Sequence, residues 1–263
     1  MRLGFIGAGN MAQAMIGGIL AKEIVKKEDI IASAATQKTI DKVAKEFGIN
    51  VTLDNREVAK ADIVFLAVKP FYYEEVIDGI KDVVDEKQLI ISVAAGKSVE
   101  WVENAFGGKK KIVRIMPNTP ALVGEAVTAI CPNANITDGE KQEIVELIAS
   151  FGLAQIVSEK IMDAVIAVSG SSPAYVFMFI EAMADAAVAE GMPRVQAYQF
   201  AAQSVLGSAK MVLETGKHPG ELKDMVCSPS GTTIEAVKVL EEKGFRSSII
   251  EAMSACADKS RNM

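Results

Sequence analysis

A chain of 263 residues, half of them apolar, is long enough for two domains or one large α/β unit with sizeable cores. Its net charge of −6 is scattered in both signs along the length, which leaves no basic footprint for nucleic acid. Three cysteines (Cys131, Cys227 and Cys256) without metal-ligand spacing, together with a single histidine, argue against a metal site and fit a reducing cytoplasm.

The first expected strand, Leu3–Ile6, runs straight into Gly7-Ala8-Gly9-Asn10-Met11-Ala12. This G-x-G-x-x-A turn opens a helix with Ala12, Met15, Ile16, Ile19 and Leu20 at helical spacing. Gly7 permits the tight turn, Gly9 lets a pyrophosphate approach the backbone, and Ala12 is small enough for close helix-to-strand packing. A dinucleotide site is expected here. The same glycines interrupt any secretory signal pattern, because no charged segment leads into an apolar one.

A second strand is expected at Ile30–Ala34, a helix at Thr39–Phe47 and a short third strand at Asn50–Leu53. NAD-preferring folds commonly end the second strand on a carboxylate that holds the ribose hydroxyls. Here it ends Ser33-Ala34-Ala35-Thr36-Gln37-Lys38. No carboxylate repels a 2′-phosphate, and Ser33, Thr36 and Lys38 could contact one, so NADPH is expected ahead of NADH.

Asp62–Val68 is a nearly continuous apolar run ending at Lys69-Pro70, a helix is expected at Tyr73–Val84, and Leu89–Ala95 is a further buried strand. Lys111–Met116 and Ala126–Ile130 add strands, and Asp138–Phe151 is a helix with Thr137 as its N-cap. Such alternation implies a doubly wound parallel sheet with ligands beyond the carboxyl ends of its strands. Three strand ends run into special sequences that would line one edge: Ala67-Val68-Lys69-Pro70, Val93-Ala94-Ala95-Gly96 and Met116-Pro117-Asn118-Thr119-Pro120.

From about Ser158 strand-like runs disappear, and alanine and methionine fill helical faces. The expected division is a sheet domain over 1–157 and an all-helical domain over 158–263. No uninterrupted apolar stretch is long enough for a transmembrane helix, and no membrane partner is expected. The richest, Ile161–Gly191, carries Asp163, Glu181, Asp185 and Glu190. It reads as a mostly buried helix, broken or kinked around Ser169–Pro173, with Met162, Met178 and Met183 as core filler. Either its own domain or a second subunit must cover it.

The inventory of acids and bases is thin. Without a second histidine a serine–histidine–acid triad is nearly excluded, and His218 reads as a loop residue before Pro219. A hydride transfer to a protonated imine fits, because the imine already carries positive charge and needs no acid to polarise it. The turn Ser228-Pro229-Ser230-Gly231-Thr232-Thr233 could serve such a substrate. Unpartnered amides at a helix start bind a carboxylate, and a threonine hydroxyl there can donate or accept. The other reading of this turn is an ordinary capped helix start.

Over essentially its whole length the chain resembles the pyrroline-5-carboxylate reductases. The carrying segments are Gly7-Ala8-Gly9-Asn10-Met11, Ala67-Val68-Lys69-Pro70, Met116-Pro117-Asn118-Thr119-Pro120, Ser169-Gly170-Ser171-Ser172-Pro173-Ala174-Tyr175 and Ser228-Pro229-Ser230-Gly231-Thr232-Thr233. The resemblance implies NADPH-dependent reduction of 1-pyrroline-5-carboxylate to proline. It places nucleotide contacts on the first two segments, Asn55, Val93, Ala94 and Ala95. Carboxylate binding falls on the amides of Gly231, Thr232 and Thr233, with Ser228 in the same turn and the Thr233 hydroxyl beside the ring nitrogen. It also implies an interlocked homodimer, sometimes assembled into a decamer. The family usually has Gly where Ser172 and Ser230 stand; a serine at positive φ would cost on the order of 1–2 kcal/mol. Two other readings stay open: a β-hydroxyacid dehydrogenase, although Ser169–Tyr175 lacks the lysine those enzymes use, and a dinucleotide-binding protein without chemistry.

Overall fold

The computed structural model describes residues 1–262. The chain forms two compact units, one of residues 1–171 joined by the tail from Cys256, the other Ser172–Ala255. The first unit is built on eight strands: β1 (Leu3–Ile6), β2 (Ile30–Ser33), β3 (Asn50–Thr52), β4 (Ile63–Leu66), β5 (Leu89–Ser92), β6 (Lys111–Met116), β7 (Ala126–Pro132) and β8 (Gly152–Ile156). They lie in the order β3-β2-β1-β4-β5-β6-β7-β8. Strands β1, β4 and β5 are buried at every position, as their unbroken apolar runs require. Phe5 and Ile6 point to opposite faces: Phe5 stacks on Phe65 at 4.4 Å in one core layer, while Ile6 joins Leu66 and Ile90 in the other.

The sheet is parallel from β3 through β6, but β7 runs antiparallel to β6 and parallel to β8. The parallel order breaks at β7 for a reason of length. The link between β6 and β7 holds only a short 3₁₀ turn, Thr119–Val123, whereas a parallel crossover needs a dozen or more residues. Strand β8, half exposed and lacking a long apolar run, escaped the sequence reading. So did a helix at Val99–Ala105, whose N-cap Ser98 accepts from the Trp101 amide at 3.0 Å.

The helices of this unit are α1 (Asn10–Ala21), α2 (Gln37–Phe47), α3 (Asn55–Val58), α4 (Tyr73–Ile80), α5 (Val99–Ala105), α6 (Asp138–Ala149) and α7 (Met162–Val165). Thr137 caps α6 as expected, in a reciprocal capping box with Glu140. After α7 the chain makes a π-helical turn over Ile166–Gly170, with the Ser171 amide donating to Ile166 O at 2.9 Å. The expected kink is this turn.

The second unit holds α8 (Ser172–Ala189), α9 (Arg194–Thr215), α10 (Pro219–Val226), α11 (Thr232–Glu242) and most of α12 (Phe245–Arg261). Helices α8 and α9 pack through Ala184, Ala197 and Ala201, small residues that let helix backbones approach. Within a single chain this helix is open rather than mostly buried, which leaves a second subunit as the alternative that would cover it. Ala184 is the one buried residue of α8, while Phe177 and Met178 are 62% and 69% exposed. Met162 is buried and Met183 half-buried, so of the three expected core methionines Met178 is the exception. Residues 159–189 are long and apolar enough to cross a bilayer by length and composition alone, although Ser169–Pro173 interrupts the apolar run.

Candidate active site

In the first unit the parallel strands β1, β4 and β5 end on one edge of the sheet, and the strand order reverses between β1 and β4. That crevice is where ligands bind in open α/β sheets. Gly7 sits there at φ +96°, its amide donating to Ser33 O at 3.0 Å. A Cβ on Gly7 would stand 2.7 Å from Ala67 O, so a larger residue would push the β1 and β4 ends apart. Gly9 differs: φ is an ordinary −74°, and a Cβ would meet nothing within 4 Å. Gly9 is the N-cap of α1 and no side chain caps that helix, which leaves the amides of Asn10, Met11 and Ala12 for a ligand.

The other expected nucleotide residues gather on the same edge. Ala67-Val68-Lys69-Pro70 follows β4 and Val93-Ala94-Ala95 follows β5. Ser33 ends β2 fully buried, and its hydroxyl donates to Asn55 Oδ1 at 2.7 Å. Two residues singled out separately are therefore hydrogen-bond partners. Thr36 is exposed and caps α2, accepting from the Thr39 amide at 3.3 Å; Lys38 is exposed on the first turn of that helix. Among the residues from Ser33 to Lys38 no carboxylate occurs.

Asn118 joins two of the motif segments. It is buried, its Nδ2 donates to Ser169 O at 3.0 Å, and its Oδ1 accepts from the Val127 amide at 3.0 Å. Arg114 on β6 is also buried and donates to Glu159 Oε1 at 2.8 Å; the same oxygen accepts from the Val99 amide at 2.9 Å. Sequence reasoning missed both bridges, because neither partner lies near the other in the chain. It missed Tyr73 as well, a wholly buried tyrosine among the strand ends whose hydroxyl burial pushes up to about 12. The Cys131 thiol, in a core cluster with Met116 and Ala95, is raised to about 11, chiefly by burial.

The turn expected to bind substrate lies in the second unit. The Gly231 amide donates to Ser228 O at 3.0 Å, closing a turn whose central residues are Pro229 and Ser230. Ser230 has φ +56°, and with proline ahead of it this is a type II turn, whose third residue is ordinarily glycine. Of the two serines where the resembling family has glycine, only Ser230 adopts positive φ; Ser172 does not. Gly231 is the N-cap of α11, again with no side-chain cap, and a Cβ there would stand 2.3 Å from Ser228 Oγ. The Ser228 hydroxyl thus lies over the start of α11, beside the free amides of Thr232 and Thr233. His218 caps α10 through Nδ1, accepting from the Gly220 amide at 3.1 Å, so the single histidine is structural.

Comparison with known proteins agrees with this layout. A family model for pyrroline-5-carboxylate reductase dimerisation matches residues 159–263, and one described as NADP oxidoreductase, coenzyme F420-dependent, matches residues 2–96. The pyrroline-5-carboxylate reductase of Escherichia coli K12 is 51% identical over all of this chain and 98% of its own length. That of Methanosarcina acetivorans is 43% identical over 100% of this chain and 97% of its own. Among solved structures, the Coxiella burnetii pyrroline-5-carboxylate reductase matches at a TM-score of 0.92 and 35% identity, covering 99% of this chain and 97% of that one. The Plasmodium falciparum pyrroline carboxylate reductase, solved with NADP bound, matches at 0.91 and 34%, covering 100% and 97%.

Proposed function

The chain belongs to the pyrroline-5-carboxylate reductase family, and on that premise we propose that it reduces 1-pyrroline-5-carboxylate to L-proline at the turns just described. It is an NADPH-dependent oxidoreductase of proline biosynthesis. When bound, NADPH supplies the hydride that the imine carbon accepts. The protein's residues bind and orient. The open amides after Gly9 and the carboxylate-free end of β2 suit a phosphorylated dinucleotide. The edge formed by Ala67–Pro70 and Val93–Ala95, with Asn55 held by Ser33, lines the rest of its site.

The substrate carboxylate lies against the amides of Gly231, Thr232 and Thr233, where the helix start supplies partial positive charge. The Thr233 hydroxyl faces the ring nitrogen and hydrogen-bonds the lone pair that develops as the iminium becomes an amine. The observation that carries this reading is the bare N-terminus of α11, whose first amides no side chain occupies. A β-hydroxyacid dehydrogenase would need a helical-domain lysine, and 169–175 contains none. The finer assignments are a cytoplasmic enzyme, NADPH ahead of NADH, and a homodimer through the helical half that assembles in some cases to a decamer.

The test is direct. Protein, NADPH and pyrroline-5-carboxylate are mixed while the absorbance of the reduced nicotinamide is followed. Oxidation that depends on the imine, with proline as product, supports the reading; no turnover overturns it.

A further inference from the structure

Strands β4 and β5 stay in register to the pair Leu66–Ser92, and beyond it they part. The last rung of their ladder is stretched: the Val93 amide stands 3.4 Å from Leu66 O. The Tyr73 hydroxyl bridges the same two groups. It donates to Leu66 O at 2.5 Å, accepts from the Val93 amide at 3.1 Å, and lies 3.3 Å from Ser92 Oγ, which donates to it. A phenolic oxygen here stands in for part of a backbone rung at the point where the two strands open. Tyr73 is the first residue of α4 and fully buried, packed with Leu66, Ile77 and Ile90 in one core layer. Its position is therefore fixed from below by packing, and it passes that rigidity to both strand ends.

The two turns that leave these ends are Ala67-Val68-Lys69-Pro70 and Val93-Ala94-Ala95, the walls of the nucleotide site in the function proposed above. We propose that Tyr73 is a positioning residue for the cofactor: its hydroxyl sets how far the ends of β4 and β5 open, and so holds both walls at the spacing NADPH requires. This inference rests on the assignment of those turns to the nucleotide. Without the hydroxyl, the Val93 amide and Leu66 O have only their 3.4 Å rung, and the ladder closes by one step or loosens there. Either change alters the nucleotide walls and leaves the substrate turn at Ser228–Thr233 as it was. The hydroxyl also stays protonated up to strongly alkaline pH, so it donates to Leu66 O throughout the range in which enzymes are assayed.

The test is Tyr73→Phe, which keeps the ring in its core and removes only the oxygen. The expected result is an NADPH dissociation constant about tenfold higher by nicotinamide fluorescence, with the KM for NADPH rising in parallel. The KM for pyrroline-5-carboxylate and kcat at saturating NADPH should stay within about twofold, equally across pH 6–9. A purely structural role would lower Tm and leave NADPH affinity alone, and that outcome overturns the proposal. If Tyr73→Phe does not fold, Ser92→Ala decides instead, since the Ser92 hydroxyl donates to that same oxygen and the substitution removes this bond. A weakened NADPH affinity in that variant supports the proposal, and an unchanged one overturns it. Failure of the wild-type protein to oxidise NADPH with the imine would count against the proposed function; a wild type that turns over beside a Tyr73→Phe variant with unaltered affinity would count against Tyr73 alone.

Discussion

Gly7 and Gly9 occupy one turn for different physical reasons, and the difference separates two kinds of mutational failure. A side chain on Gly7 collides with the protein itself, whereas one on Gly9 enters open space at an ordinary φ. Gly9→Val should therefore leave Tm unchanged while raising the NADPH dissociation constant at least tenfold, about 1.4 kcal/mol, in a fluorescence titration. In the substrate turn, α11 takes Gly231 as its N-cap and no side chain caps it, so the Thr233 hydroxyl has no capping duty. Thr233→Ala should accordingly hold Tm and NADPH affinity while kcat falls roughly ten- to a hundredfold, the loss of one transition-state hydrogen bond of about 1.5–3 kcal/mol. Ser230, at φ +56°, carries strain that glycine would not. Relief of that strain outweighs the extra freedom glycine has when unfolded, so Ser230→Gly should stabilise the fold by about 0.5–1 kcal/mol, read as a raised denaturation midpoint.

Among the elements, α6 is anchored at its first turn. The Glu140 carboxylate accepts from the Lys111 ammonium on β6, from the Thr137 amide at 2.9 Å and from the Thr137 hydroxyl at 2.8 Å. The Lys111 bond, the largest cause, and the Thr137 amide lower its pKa from 4.5 to about 2. A depressed folded-state pKa means stability that is complete above the unfolded value and is lost as pH falls through the folded one. Glu140→Gln should thus be less stable than wild type at pH 7. The gap in thermal midpoint should close between about pH 4.5 and pH 2, where the wild-type carboxylate takes up its proton. Element types were legible from pattern alone where apolar runs were continuous, as in β4 and β5. Strand ends were not: the apolar run to Val68 pairs with β5 only as far as Leu66, where the Val93 amide is shared between Leu66 O and the Tyr73 hydroxyl.

At the scale of the whole molecule, the helical half leaves large apolar side chains in water. Phe177, Met178, Phe200 and Leu213 are 62%, 69%, 66% and 80% exposed. Surface of this kind marks an interface, and residues 159–263 match a family's dimerisation region. Sedimentation should give a multiple of the 28.0 kDa chain mass at micromolar concentration. Phe177→Asp, which places a charge on that face, should shift the population towards the single chain.

The sequence alone determined the motif segments, the dinucleotide fold and the helical second half. Each of these rests on local rules: the period of apolar residues, the turn chemistry of glycine and proline, and the residue types that chemistry requires. Tertiary structure decided what depends on residues far apart in the chain. It paired Ser33 with Asn55 and Asn118 with Ser169, and it set Tyr73 across Leu66 and Val93. It turned β7 against β6, and it left α8 uncovered by its own chain, where composition had allowed either its own domain or a second subunit as cover. A hydrogen bond between distant segments leaves no period or spacing in the chain, because it is set by how the layers pack. Whether a helix face is covered depends likewise on what else reaches it, and in this protein the rest of its own chain does not.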